Sequence, residues 1–180
     1  AEAEVDTVYL GVFDRAAIEA VGLFDERLIR NQDYELNIRL RKAGGTVVFD
    51  PELSVGYTPR GSWKALAKQY FEYGQWKAEV LRLHPDSLKL RQMVPPVAVI
   101  GVIMSVLLAP RRAALALPAT LYALAVLAAT RRPVNGPRSW TRRFGVQVTV
   151  HFTWTAGLLG GVLRPGIAEP PERPRPHHHV

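Results

Sequence analysis

Between Val94 and Leu163 the chain runs through three apolar stretches, 94–109, 113–130 and 144–163, that carry no formal charge when His151 is neutral. A helix in a soluble core usually shows charge on one face, so uncharged runs of this length point to insertion in a bilayer. Spanning takes about 20 apolar residues, with a lower limit near 17. The second and third stretches reach that length. The first is short, unless it borrows Met93 and its neighbours or enters without crossing. Pro95 and Pro96 stand at its start, where proline suits a helix entrance. Pro118 interrupts the second stretch.

Charge divides the chain at the same place. Residues 1–92 carry 13 Lys and Arg against 14 Asp and Glu, whereas residues 93–180 carry 10 Arg against two Glu. A nucleic-acid binder clusters its excess on the folded domain, with aromatics interleaved. Here the excess flanks the apolar runs, which excludes nucleic acid as a partner and points to membrane lipids. Arg131, Arg132, Arg138, Arg142 and Arg143 lie between the second and third stretches, and only Arg111 and Arg112 between the first two. By the positive-inside tendency the five-Arg loop is cytoplasmic, and so is the region before Met93 if both earlier stretches cross. The chain has no Cys, so disulfide and thiolate chemistry are excluded. It opens on Ala-Glu-Ala-Glu and passes directly into a strand-like run, so the expectation is a fragment whose N-terminal portion is missing. The Pro-rich tail, 165–180, is expected to be disordered.

Before residue 93 the pattern alternates short β and helical signals. Val8–Phe13 reads as a short strand or extended segment. Asp14 caps a small helix closed by Gly22, and 23–30 is a loop with Phe24 as its buried anchor. Thr46–Phe49 is β-rich and ends at Asp50-Pro51. Ser62 caps a helix from Trp63 to about Leu83. One stripe of that helix holds Leu66, Tyr70, Gly74 and Ala78, opposite Lys64, Lys68, Glu72 and Glu79. Such a helix either lies along a bilayer interface or packs on its own domain.

The segment Asn31-Gln32-Asp33-Tyr34-Glu35-Leu36 opens another helix. Leu36, Leu40 and Ala43 share a face, Arg39, Arg41 and Lys42 load the last turn, Gly44 stops it and Asn31 can cap it. Asp33 then sits in the first turn, among unpaired N–H groups that suit a carboxylate. A charged carboxylate on the rim of a rigid element meets the needs of a general base, although acidic first turns are also ordinary helix design. Glu35, two residues on, points to another face and reads as a solvated helix charge.

From Val5 to about Arg91 the chain resembles the C-terminal half of the catalytic domain of family 2 glycosyltransferases, in the membrane-attached subgroup that builds bacterial exopolysaccharides. The matching residues run from Val5-Asp6-Thr7 through Gly11-Val12-Phe13, Gly22-Leu23-Phe24-Asp25-Glu26 and Gln32-Asp33 to Arg39-Leu40-Arg41-Lys42-Ala43-Gly44-Gly45, Phe49-Asp50-Pro51 and Gln69–Gly74. The resemblance implies an α/β fold over 1–61, a partial GT-A domain. An amphipathic interfacial helix and linker over 62–92 and two or three membrane helices over 93–164 would follow. It further implies an inverting transfer of a sugar from a nucleotide-sugar donor to a lipid-linked or glycan acceptor, with Asp33 as the catalytic base. Gln32, where the family more often has Glu, would orient the neighbouring loop.

Asp6, Tyr9 and Gly11 belong to a segment that in the family lines the acceptor cleft; a core strand with a permissive Gly is the plain alternative. Arg60 would reach a phosphate bidentately or be a plain surface residue. A divalent metal, Mg or Mn, is implied by the family, but its Asp-x-Asp motif does not occur in this sequence. The isolated chain is therefore expected to transfer no sugar. His177, His178 and His179 cannot fix a closed metal site without further ligands. The Gln-x-x-Arg-Trp signature of processive members is also missing. A non-catalytic membrane adaptor is the rival reading, in which Gly157, Gly160 and Gly161 promote helix contacts.

Overall fold

The computed structural model describes residues 2–8, 10–58, 61–108, 110, 112–131 and 139–166. Its elements are β1 (Ala3–Glu4), α1 (Arg15–Ala20), α2 (Gln32–Lys42), β2 (Val48–Phe49), α3 (Trp63–Leu83), α4 (Leu90–Leu108), α5 (Leu117–Arg131) and α6 (Trp140–Val162), with short 3₁₀ turns at Pro85–Ser87 and Ala113–Ala116. The α/β expectation meets a mostly helical chain with one two-stranded antiparallel sheet, Ala3 opposite Phe49 and Glu4 opposite Val48.

Several local expectations need correction. Of the two readings of Val8–Phe13, a short strand or an extended segment, the strand is not formed at Val8 or residues 10–13: Leu10 turns at φ 54°, and the Phe13 ring folds back to within 2.9 Å of where a Gly11 Cβ would stand. Phe24 is not a buried anchor but a partly exposed ring set edge-on to Phe13 at 6.1 Å. The buried apolar residue of that loop is Leu28, which joins Ile38 of α2 and Val80 of α3 in the core, flanked by Tyr34, Trp76 and Leu83. Asp14 does cap α1, accepting the Ala17 N–H at 2.8 Å, and Ser62 caps α3 by accepting that of Ala65 at 3.2 Å. Asn31 is the N-cap residue of α2 but sits at φ 61° and makes no side-chain cap bond. Its amide instead donates to the Tyr73 carbonyl at 3.3 Å.

α3 is the centre of the molecule. Lys77, Ala78, Glu79 and Val80 are all buried, so that one turn is covered on every side, with α2 and α6 both packed against it. Glycine makes the second contact possible. A Cβ on Gly74 would stand 2.1 Å from the Trp154 carbonyl, one on Gly157 2.0 Å from that of Phe71, and one on Gly161 2.8 Å from Ala78 Cβ. Gly160 faces open space. Arg82 of α3 then donates to the Gly161, Val162 and Arg164 carbonyls at 2.6, 3.0 and 2.7 Å, which ties the C-terminal end of α6 to α3. α3 thus packs along α6 of the same chain.

The apolar region also shifts from expectation. α4 begins at Leu90, because Gln92 accepts the Lys89 N–H at 3.2 Å in the manner of a capping box. Pro95 and Pro96 therefore lie inside the helix rather than at its entrance. With those extra residues Leu90–Leu108 becomes long and apolar enough to cross a membrane, as is Ala114–Arg131. Only 17 % and 11 % of their respective windows is buried, so neither is a soluble core helix covered by protein. Among the described residues α6 does not join them, since Gln147, His151 and four Thr dilute its apolar character. The tail beyond Gly166, including His177–His179, and Arg111, Arg132 and Arg138 lie outside the described residues.

Candidate active site

Asp33 is exposed in the first turn of α2, and its Oδ1 accepts the Tyr34 N–H at 2.8 Å. The turn that carries it is fastened to α3 at three points. Arg30 pairs with Glu72 at 3.0 Å, Asn31 reaches the Tyr73 carbonyl, and the Tyr34 hydroxyl takes a hydrogen bond from Lys77 Nζ at 3.2 Å. The same hydroxyl donates to the Ser87 carbonyl at 3.3 Å and accepts from Gln92 at 3.4 Å. Gln32 is partly buried beside Asp33.

Lys77 is 5 % exposed and pairs with no carboxylate among the described residues; its ammonium lies 4.3 Å from the Tyr34 ring centroid. Burial pushes its pKa down, against the opposing pull of the Tyr34 hydroxyl. Burial works to raise the pKa of Tyr34, but the hydrogen bonds from Gln92 and Lys77 outweigh it and the net shift is downward.

Glu35 is not a solvated charge. It is 3 % exposed and grips Arg39 bidentately, with Nε at 2.8 Å and Nη2 at 2.7 Å, while the His84 Nε2 approaches at 2.9 Å. Arg39 continues to the Val21 and Leu23 carbonyls, so one network joins α2, the end of α1 and the end of α3. Its readable signal was the Glu35–Arg39 spacing, four residues apart on one helix face.

Gly11 lines a cleft of about 500 Å³ whose walls include Leu10, Phe13, Val47 and Phe49. Asn37 of α2 also lines it, 1 % exposed, donating to Thr7 Oγ1 at 2.9 Å and leaving its own Oδ1 without a partner among the described residues. Asp33 lies one turn before Asn37 on the same face of α2. Asn37 was missed by sequence reasoning, although a polar residue between Leu36 and Ile38 was the available sign. Asp6 is elsewhere: it pairs with Lys89 and Arg91 and lies 3.6 Å from Arg41, and the Lys89 hydrogen bond leads the lowering of its pKa despite partial desolvation. Tyr9 and Arg60 lie outside the described residues. Among the described residues no three of His, Cys, Asp and Glu converge on a point that would hold a metal ion.

With this geometry in place, comparison with known proteins adds two likenesses. The succinoglycan biosynthesis protein ExoA of Rhizobium meliloti (strain 1021) is 33 % identical over 153 residues, covering 82 % of this chain and 45 % of that protein. The dolichyl N-acetyl-alpha-D-glucosaminyl phosphate 3-beta-D-2,3-diacetamido-2,3-dideoxy-beta-D-glucuronosyltransferase of Methanococcus voltae is 36 % identical over 78 residues, 43 % of this chain and 24 % of that one. These likenesses support a glycosyltransferase family. The chain spans less than half the length of either relative. No family model matches the chain, and no solved structure matches it. Both relatives carry names tied to carbohydrate assembly, and the shorter match is the one named for a lipid-linked sugar phosphate.

Proposed function

We propose that this chain supplies the acceptor-activating part of an inverting family 2 glycosyltransferase. It moves a sugar from a nucleotide-sugar donor to a lipid-linked or glycan acceptor in polysaccharide biosynthesis. The observation that carries the reading is Asp33: an exposed carboxylate at the start of α2, on the face that leads to Asn37 and the cleft, in a turn tied to α3 at three points. As the acceptor oxygen attacks the anomeric carbon, Asp33 takes the hydroxyl proton and the bond to the departing diphosphate breaks on the opposite side. That order inverts the anomeric centre.

A divalent metal, when bound, would offset the charge developing on the diphosphate. On this reading its ligands and the donor-binding groups lie outside these residues, so the isolated chain should turn over no nucleotide sugar. α4 and Ala114–Arg131 anchor the protein in the inner or plasma membrane, with the region of Asp33 on the cytoplasmic side. The test is Asp33→Asn, assayed as sugar transfer in membranes of cells expressing the gene. Loss of a general base should lower the rate by about 10²–10⁴. A rate within a few-fold of wild type, at equal protein level, would remove Asp33 from the chemistry.

A further inference from the structure

Between the end of α2 and the start of α4, three cations crowd one carboxylate. Lys89 and Arg91 both bond Asp6, and Arg41 Nη1 stands 3.6 Å from it. The group borders a cleft of about 710 Å³ lined by Glu4, Val5, Asp6, Thr7, Arg41 and Arg91. Even with Glu4 and Asp6 both charged, the three cations leave a positive surplus. Arg41 Nε is buried and has no acceptor among the described residues.

Helix stability does not account for this arrangement. Lys89 immediately precedes α4 and Arg91 is its second residue, and the first turn holds no acidic side chain. Cations at a helix N-terminus oppose the macrodipole, so the sequence concentrates positive potential where it costs stability. One carboxylate, Asp6, answers three cations, and a place where a local rule is broken with incomplete compensation is where function is expected. The site also stands at the mouth of a helix apolar enough to enter a bilayer, the depth at which lipid phosphates lie. Arg41 shares α2 with Asp33, about 12 Å further along its axis.

We infer that Arg41, Lys89 and Arg91 form a binding site for a phosphoryl group, with the Asp6 carboxylate occupying it as a built-in competitor when no ligand is present. The inference rests on the lipid-linked acceptor proposed above. That acceptor presents a phosphoryl group at the membrane surface and a sugar hydroxyl further out, towards Asp33. A bilayer phospholipid offers the same phosphoryl chemistry, as does free phosphate. Guanidinium groups suit it because they meet phosphate oxygens in pairs.

Binding to the detergent-purified chain can be followed calorimetrically with three probes: a short-chain prenyl phosphate, a short-chain phosphatidylglycerol and inorganic phosphate. Tightest binding of the prenyl phosphate assigns the site to the substrate, of phosphatidylglycerol to the bilayer, and of inorganic phosphate to a free anion; each supports a phosphoryl site. Neutralising the cations together (Arg41→Gln, Lys89→Gln, Arg91→Gln) should weaken the preferred probe about tenfold or more. Asp6→Asn should do the reverse and tighten it several-fold. If Asp6→Asn loses helical content, Glu4→Gln removes a negative charge from the same cleft without breaking an ion pair and should also tighten binding. No binding by any probe, or carboxylate variants that are folded yet bind no tighter, would overturn the site. Binding is read without turnover, so its failure leaves Asp33 untouched, and a failure of Asp33→Asn leaves this site untouched.

Discussion

α3 and α4 are similar in length and opposite in their surroundings. α3 carries Lys, Glu and Arg, yet Lys77 and Glu79 are buried and the turn from Lys77 to Val80 is covered on all sides. α4 between Val94 and Leu108 is uncharged, yet Val97 is 62 % and Val106 69 % exposed. A chain in water would reverse these choices, because removing apolar area from water is the main favourable term in folding. The pairing makes sense when α4 and α5 are solvated by lipid, while α3 serves as the polar-tolerant hub that ties the Asp33 turn to α6.

The largest structural effect should come from the glycine contact. Gly157→Val places a branched side chain where the Phe71 carbonyl already stands, 2.0 Å from the position of a Cβ. Both sides are helix backbone, so neither can yield cheaply, and overpacking of this kind costs about 1–3 kcal/mol or more. Protease resistance of the 63–83 region should collapse. Gly160→Val, one turn face away in open space, should leave it intact.

Next comes the buried network. Glu35→Ala strands Arg39 and His84 beside a partly closed interior, and removal of one partner of a buried pair costs about 3–5 kcal/mol. The Arg39 side chain is 21 % exposed, which pulls the expectation toward the lower end of that range. Urea or thermal unfolding of the detergent-solubilised chain measures it; a change under about 0.5 kcal/mol, the size of a surface substitution, would restore Glu35 to the solvent.

On the other side of the contrast, Val97→Arg puts a charge near the middle of α4. If lipid surrounds that position, insertion is penalised by about 2.5–3.5 kcal/mol, and the protein should shift toward the alkali-extractable fraction of membranes. Unchanged extraction would mean that α4 does not span.

How much of this was legible in sequence follows from what each feature depends on. The α3 helix and its Ser62 cap, the α2 helix and the Gly44 stop are local: spacing, a cap and a breaker suffice. Glu35 was misjudged because its burial depends on His84 and on two carbonyls near residue 22, which no window along the chain brings together. Asn31 was assigned its cap role from residue type. The left-handed backbone turns its side chain to Tyr73 instead, a tertiary choice. The start of α4 was hidden because Pro95-Pro96 outweighed the weaker Lys89–Gln92 signal. Asp33 was placed by local pattern, whereas Asn37, one turn further on, gains meaning only from the cleft it faces.

The smallest effect, and the sharpest in sign, concerns Lys77. Its pKa is lowered from 10.5 by burial, and that of Tyr34 is lowered from 10.0. Over the window between each depressed folded value and its unfolded one, the unfolded chain holds more protons than the folded chain, so stability rises with pH. Lys77→Met removes the first contribution and weakens the second, while placing an apolar chain of similar length in a buried site, a change often neutral or stabilising. Near neutral pH, where the folded state bears the cost of a buried ammonium, the variant should equal or exceed the wild type in thermal stability by about 1 kcal/mol. As pH climbs toward 10 the wild type should gain on it. A gap that stays constant with pH would mean that the ammonium is solvated after all, and that α3 is less of a sealed hub than its neighbours make it.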